Sequence, residues 1–443
     1  MRGFALAGAA VVLVLLVTAL VCKKERYRLL RRFAYVGIGL ALAGTVGLLY
    51  AFPAVKLPEP QGDYPVGTQA LYLVDTDRTE TFDGPVQGHR ALMVQVWYPA
   101  QAGTGTPAAW IPDPRILPHM AAQYGLPEFT FDYLEQVSAH ADPQAAVSSA
   151  QPTYPLIVGN PGNASSRFFH TSQAEYLAAR GYIVAVIDHT YTTFATEFPD
   201  GKITTAAADS LFSPDDDYRT VSLQRDRLGR LLTDDVAFVL DRFEQMQSGQ
   251  IPSNLQSKLD LGHIGIFGHS IGGAAAYDAS YDPRIAAGID LDGGLYRLRE
   301  RGELRKPFLF ITSDSYFGKL QRVLEQRPYT DEEMERMGST REWEEAAAQD
   351  KRLELKRMHE AVEAGGQALY IENTEHLNFT DAQFLSPLFA RLGLTGKIAP
   401  QRADTVVNAY MLDFFDQHLK NKNGALMKKT DSRFPEVKFI RFP

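Results

Sequence analysis

The chain has 443 residues, 45% hydrophobic and 22% charged, a globular composition long enough for one large domain or several smaller ones. Its single cysteine, Cys22, excludes a disulfide within the chain and any zinc site built on cysteines. The net charge of −8 divides into +6 on residues 1–52 and −14 on the remainder, and so acidic a body argues against nucleic acid and against electrostatic adhesion to anionic lipid.

Residues 4–22 and 33–52 are apolar and uncharged. At about 1.5 Å per helical residue, each is long enough to cross a hydrocarbon core of about 30 Å. Residues 23–32 between them carry six basic side chains and one acidic. The positive-inside rule places that loop in the cytoplasm and the body outside. The expectation is a hairpin of two transmembrane helices, with the membrane as a partner through them. A cleaved signal peptide over residues 1–22 is the competing reading, but its basic region is only Arg2 and Leu20-Val21-Cys22 is a poor cleavage site. Residues 53–66, with Pro53, Pro58, Pro60 and Pro65, read as a linker.

Residues 67–443 read as one domain. Runs at 71–74 and 92–98 predict an antiparallel pair, and 154–158 and 182–188 predict buried strands around a helix at 172–180 that Gly181 stops. Apolar residues at mostly helical spacing, from Leu223 to Phe243, predict a long amphipathic helix over 221–246. Strands follow at 264–267, 286–291, 308–312 and 368–371, then a helix at 405–419. Strands alternating with helices imply an α/β fold, a mostly parallel sheet flanked by helices, with the site beyond the carboxyl ends of the strands. Residues 317–366 break the rhythm. They are charged and helical, with capping-box patterns at Thr330/Glu333 and Ser339/Glu342 and an apolar face at Leu355, Met358 and Val362. This insert is either a solvated surface element or a lid.

The chemistry centres on Gly268-His269-Ser270-Ile271-Gly272-Gly273. A strand runs straight into Gly-x-Ser-x-Gly and then into a small-residue helix, the context of a nucleophile elbow. Gly268 and Gly272 leave room for the helix to pack close to the strand, and the helix N-terminus offers N–H groups to an oxyanion. An ordinary N-cap serine is the alternative for Ser270. A serine nucleophile needs a base, itself oriented by an acid, and in α/β-hydrolases the chain order is Ser, acid, His. His376 follows the strand at 368–371 in a short polar loop, whereas His359 lies in the insert and His418 near the end of the last helix. His269 is adjacent to the serine, with its ring directed into packing. Asp290, Asp292 and Asp314 are the candidate acids.

Together with Gly288-Ile289-Asp290-Leu291-Asp292 and Glu375-His376-Leu377-Asn378-Phe379, the elbow resembles the platelet-activating factor acetylhydrolases, the calcium-independent, lipoprotein-associated phospholipase A2 type of α/β-hydrolase. Val96-Trp97-Tyr98-Pro99, Trp110-Ile111-Pro112, and the segments 154–158 and 181–185 carry the likeness further, over roughly residues 65–420. The resemblance implies a serine esterase without metal or organic cofactor, acting on short or oxidised sn-2 acyl groups of phospholipids. It takes the acid from the strand after the nucleophile helix, which favours Asp292 over Asp314. It implies an oxyanion hole from the Ile271 N–H and one more donor. The family usually has His-Gly in the loop supplying that donor, where this chain reads Gly159-Asn160-Pro161-Gly162-Asn163. Pro161 has no N–H, so Gly162 or Asn163 must supply it. The insert is a second departure. The apolar residues Leu117, Met120, Tyr124, Phe129, Phe131 and Tyr133 either line an acyl site, touch the bilayer, or form core. A carboxylesterase or polyester-type hydrolase with no phospholipid preference, and a non-catalytic binding protein on a hydrolase fold, are the alternative readings. The sequence leaves the oligomeric state open.

Overall fold

The computed structural model describes residues 12–14, 17, 28–82, 88–101, 105–213 and 215–442. Its first complete element is helix α1 (Arg28–Ala51), within which residues 32–51 are long and apolar enough to cross a membrane. Among the described residues it is the one helix that meets that test. The expected first span at 4–22 lies outside the described residues apart from 12–14 and 17, so a two-span hairpin and its topology are not supported. The end of α1 is fixed to the body. Phe52 packs edge-on against Phe131 and Tyr133, and Ser386 Oγ donates to the Ala51 carbonyl at 2.5 Å. The proline-rich residues that follow lie against the body too: Leu57 is buried, and Tyr64 N–H donates to Ala179 O.

Strands β1 (Val66–Thr79) and β2 (His89–Pro99) pair antiparallel, Val66 opposite Pro99. Helix α2 (Leu117–Gln123) and the two-residue strand β3 (Asp142–Pro143) lead to β4 (Tyr154–Asn160), helix α3 (Thr171–Ala178) and β5 (Ile183–Asp188). A small hairpin, β6 (Ala195–Glu197) and β7 (Ile203–Thr205), precedes the long helix α4 (Tyr218–Gln247). Then come β8 (Leu259–His269), α5 (Ile271–Ala279), β9 (Ile285–Leu291) and β10 (Phe308–Ser313). The insert folds as α6 (Asp314–Leu324), α7 (Asp331–Met337) and α8 (Arg341–Glu363), ahead of β11 (Gln367–Ile371). The chain closes with α9 (Leu388–Arg391), α10 (Pro400–Leu419) and the edge strand β12 (Val437–Phe439).

One sheet holds ten of these strands in the order β12-β11-β10-β9-β8-β4-β5-β2-β1-β3. From β11 to β5 every neighbour is parallel, and antiparallel pairs flank that block, β12 on one side and β2 then β1 on the other. The period of two sorts its side chains. Ile183, Ala185 and Ile187 join a core with Val236 and Phe243 of α4, while Val184 and Val186 join another with Leu177 of α3 and Phe415 of α10. Each fully buried Ile, Val or Leu among these contributes roughly 1.5–3 kcal/mol. Burial on both faces explains why these strands read as unbroken apolar runs.

Two details differ from the sequence reading. Leu223 is exposed although its spacing put it on the apolar face of α4. The Thr330/Glu333 capping box forms, but the second is displaced: Thr340 caps α8 through Trp343 N–H, and Ser339 Oγ donates to Glu344 instead.

Candidate active site

β8 delivers His269 and α5 starts at Ile271, leaving Ser270 alone to reverse the chain. It does so at φ 57°, ψ −123°, a strained backbone for a non-glycine residue that costs about 1–3 kcal/mol. Its N–H donates to Leu291 O at 3.1 Å, tying the elbow to β9. A Cβ on Gly268 would overlap the Gly272 carbonyl, and one on Gly273 would overlap the Asp290 carboxyl. A Cβ on Gly272 would strike Asn160 O and Pro161 O, so that glycine admits the neighbouring loop rather than the strand. Ser270 occupies the N-cap position of α5, but its side chain makes no capping hydrogen bond.

His376 opens a short turn after β11, and its Nδ1 lies 2.7 Å from Asp292 Oδ2. Asp292 follows β9 directly, at φ 55°, with its side chain buried. Its other oxygen accepts the Ser313 N–H at 2.6 Å. With a carboxylate facing Nδ1, that nitrogen donates. The His376 side chain is 47% exposed, open to a substrate. Its carbonyl accepts from His269 Nε2 at 3.0 Å, and the two ring centroids lie 4.4 Å apart with the planes tilted by 40°. The His269 ring is thus buried beside that of His376. Burial, with the neighbouring histidines, pushes it well below the usual imidazole range, so it stays neutral.

The other two acids sit elsewhere. Asp314 caps the turn at Asn373, accepting its N–H at 3.0 Å. Asp290 is buried within β9 and accepts the Gly293 N–H at 2.8 Å. Burial, with Glu354 and Asp292 nearby, raises it well above the ordinary carboxylate value. Gly162 abuts the elbow, where an added Cβ would lie 3.2 Å from Ser270 Cβ. Asn163 and Ile271 together line a 240 Å³ pocket with Ala208, Phe212, Val221 and Leu228. Ser270, Asp292 and His376 open onto a larger cavity of about 1550 Å³. The insert forms much of its wall, through Tyr316, Trp343, Glu354 and Leu355. Tyr316 Oη donates to Glu354 at 2.5 Å, and Lys351 Nζ donates to both at 2.7 Å, fastening α6 to α8. The apolar stretch before β3 does not line this cavity: Leu117, Met120, Phe131 and Tyr133 are core, while Tyr124 and Phe129 are exposed. Among the described residues, no cluster of three or more His, Cys, Asp or Glu side chains is arranged to hold a metal ion.

The sequence is 24% identical to a probable 1-alkyl-2-acetylglycerophosphocholine esterase from Arthroderma benhamiae, over 65% of this chain and 66% of that protein. It is 22% identical to the platelet-activating factor acetylhydrolase of Cavia porcellus, over 84% of this chain and 80% of that one. The fold is similar to a ferulic acid esterase from Streptomyces cinnamoneus, with a TM-score of 0.65 and 28% identity, covering 87% of this chain and 99% of the other. The profile of the platelet-activating factor acetylhydrolase, isoform II family matches residues 49–434, so the chain belongs to that family of carboxylic ester hydrolases.

Proposed function

We propose that the protein is a membrane-anchored serine esterase that removes short or oxidised sn-2 acyl groups from phospholipids. The observation that carries this reading is the Asp292–His376 pair at 2.7 Å, opening onto the same cavity as a serine held in a strained elbow. Ser270 Oγ attacks the ester carbonyl carbon while its proton passes to His376 Nε2. The tetrahedral oxyanion is held by the Ile271 N–H and by that of Gly162 or Asn163. Collapse expels the alcohol, which takes the proton from His376, and leaves an acyl-enzyme. Water, deprotonated by His376, then releases the acid and regenerates Ser270. Asp292 keeps the imidazole in the productive tautomer and stabilises it when protonated. The 240 Å³ pocket beside Ile271 suits a short acyl group, and the larger cavity suits the rest of the lipid.

The test is hydrolysis of p-nitrophenyl esters from acetate to palmitate by the full chain, with fluorophosphonate labelling alongside. Activity is expected to be highest on acetate and to fall with acyl length, and 2-acetyl phosphatidylcholine is expected to be cleaved. Activity rising with length would overturn the short-acyl reading. Absence of labelling would leave a binding protein on a hydrolase fold. The likeness to a ferulic acid esterase favours a second reading, a broader carboxylesterase. Hydrolysis of methyl ferulate as efficient as that of the acetylated phospholipid would select it.

Anchoring rests on α1, with the basic residues 23–32 held on the cytoplasmic side and the body outside. Tyr124, Leu126, Phe129 and Leu392 are exposed, and Tyr124 packs on Phe131, against which the end of α1 also packs. The body would therefore sit low on the lipid, facing its substrate. Alkaline carbonate is expected to leave the chain in the membrane pellet, with the body cleaved by protease added to intact cells. Release into the supernatant would remove the anchor from the proposal.

A further inference from the structure

Behind the loop proposed to hold the oxyanion lies a second histidine–aspartate pair, to which the hydrolytic steps assign no role. Asn160 ends β4 and is fully buried. Its Nδ2 donates to Phe267 O at 2.9 Å, which leaves Oδ1 facing His189 Nε2 at 3.0 Å. Turning the amide over would set Oδ1 against the Phe267 carbonyl, acceptor against acceptor. On its other side, His189 Nδ1 lies 3.0 Å from Asp235 Oδ2. The Asp235 carboxylate also accepts from Arg90 Nε and Nη2, at 3.0 and 2.6 Å, and pairs with Arg78 Nη2 at 2.9 Å. Arg90 in turn pairs with Glu80 at 2.8 Å. Burial alone would raise the Asp235 carboxyl, but Arg90 and His189 hold it below the ordinary carboxylate range. Both nitrogens of His189 thus face side-chain oxygens, one from the Asp235 carboxylate and one from the Asn160 amide.

We infer that Asp235, His189 and Asn160 form a positioning relay for the oxyanion loop, with the buried His189 ring linking α4 to the end of β4. The loop needs such a hold. Pro161 follows Asn160 directly and has no N–H with which to anchor the backbone. The turn that carries His189 also grips the far end of the loop. Thr192 N–H donates to His189 O at 2.9 Å, and Ala164 N–H donates to Thr192 O at 2.6 Å. Ala164 sits at φ 49°, a strained position that those bonds must maintain. Asn160 O and Pro161 O occupy the space a Cβ on Gly272 of the nucleophile helix would need, so the relay sets the distance between loop and elbow. These residues touch no substrate; they act through the N–H groups of the loop.

The inference rests on Ser270 being the nucleophile, and the experiment separates the two. Fluorophosphonate labelling to completion counts competent serines in the full-length wild type and in each variant, and kcat is then expressed per labelled site. Asn160→Ala and His189→Leu are expected to lower that kcat about 10- to 100-fold, with KM within about threefold, because a misplaced oxyanion donor weakens the transition state alone. The double variant is expected to be no worse than either single one. His189→Gln, which keeps a donor toward Asn160, is expected to restore most of the activity. No labelling of the wild type would sink the nucleophile and leave the relay without an object. Full labelling with kcat per site within about threefold of wild type in Asn160→Ala and His189→Leu, and only a lower Tm, would overturn the relay alone. Should those variants not fold, proton NMR of the wild type decides. A His189 ring N–H held in a hydrogen bond and slow to exchange, absent in His189→Gln, is expected, and a ring proton in free exchange with water would overturn the inference.

Discussion

Replacing Ser270 with alanine is expected to lower kcat on p-nitrophenyl acetate by at least about 10⁴-fold and to abolish fluorophosphonate labelling. The size of the effect follows from the chemistry. Without Oγ there is no acyl-enzyme, and His376 has no proton to accept. What remains is binding and the oxyanion donors acting on water. The fold is expected to survive, with a stability change under about 1 kcal/mol. The Ser270 side chain caps nothing, and alanine meets the same backbone strain at φ 57° as serine does. A variant that keeps more than a tenth of wild-type turnover would remove Ser270 from the mechanism. Equal loss of activity and of Tm would point to an elbow damaged by the substitution.

The elbow was legible because its constraints are local. Gly268, Gly272 and Gly273 stand within five residues of one another, and each is required by contact with a neighbour that a Cβ would strike. The parallel strands were legible for a similar reason, since burial on both faces leaves an unbroken apolar run in the sequence. What could not be read is what depends on distant partners. Asn160 and His189 are 29 residues apart, and His189 and Asp235 are 46. No spacing rule joins a strand end to the middle of a helix. Asn160 was visible only as a departure from the family loop, and His189 only as the residue after a strand. The same holds for the insert. Its charge suggested a solvated element, yet Tyr316, Lys351 and Glu354 turn polar side chains inward to tie α6 to α8 along the cavity. The composition of a segment reports its average surroundings, and a wall between solvent and a site has two kinds.

The choice between two carboxylates shows where pattern alone runs out. By position after a strand, Asp292 and Asp314 are equivalent: one follows β9, the other follows β10. In the structure they face different groups, His376 Nδ1 for Asp292 and the Asn373 N–H for Asp314. Substitution by asparagine is therefore expected to separate them. In Asp292→Asn the amide retains one acceptor, but the side chain loses its charge. The imidazolium formed during acylation is then unsupported, and the ring is free to take the tautomer that points a proton at Ser270. A loss of about 10⁴-fold in kcat is expected, with KM little changed. Asp314→Asn leaves an acceptor for Asn373 and keeps its distance from the base, so kcat is expected to stay within about twofold. Measuring both variants against p-nitrophenyl acetate decides the assignment. Equal losses would mean that both carboxylates support the base, and a larger loss in Asp314→Asn would transfer the role to the strand that follows.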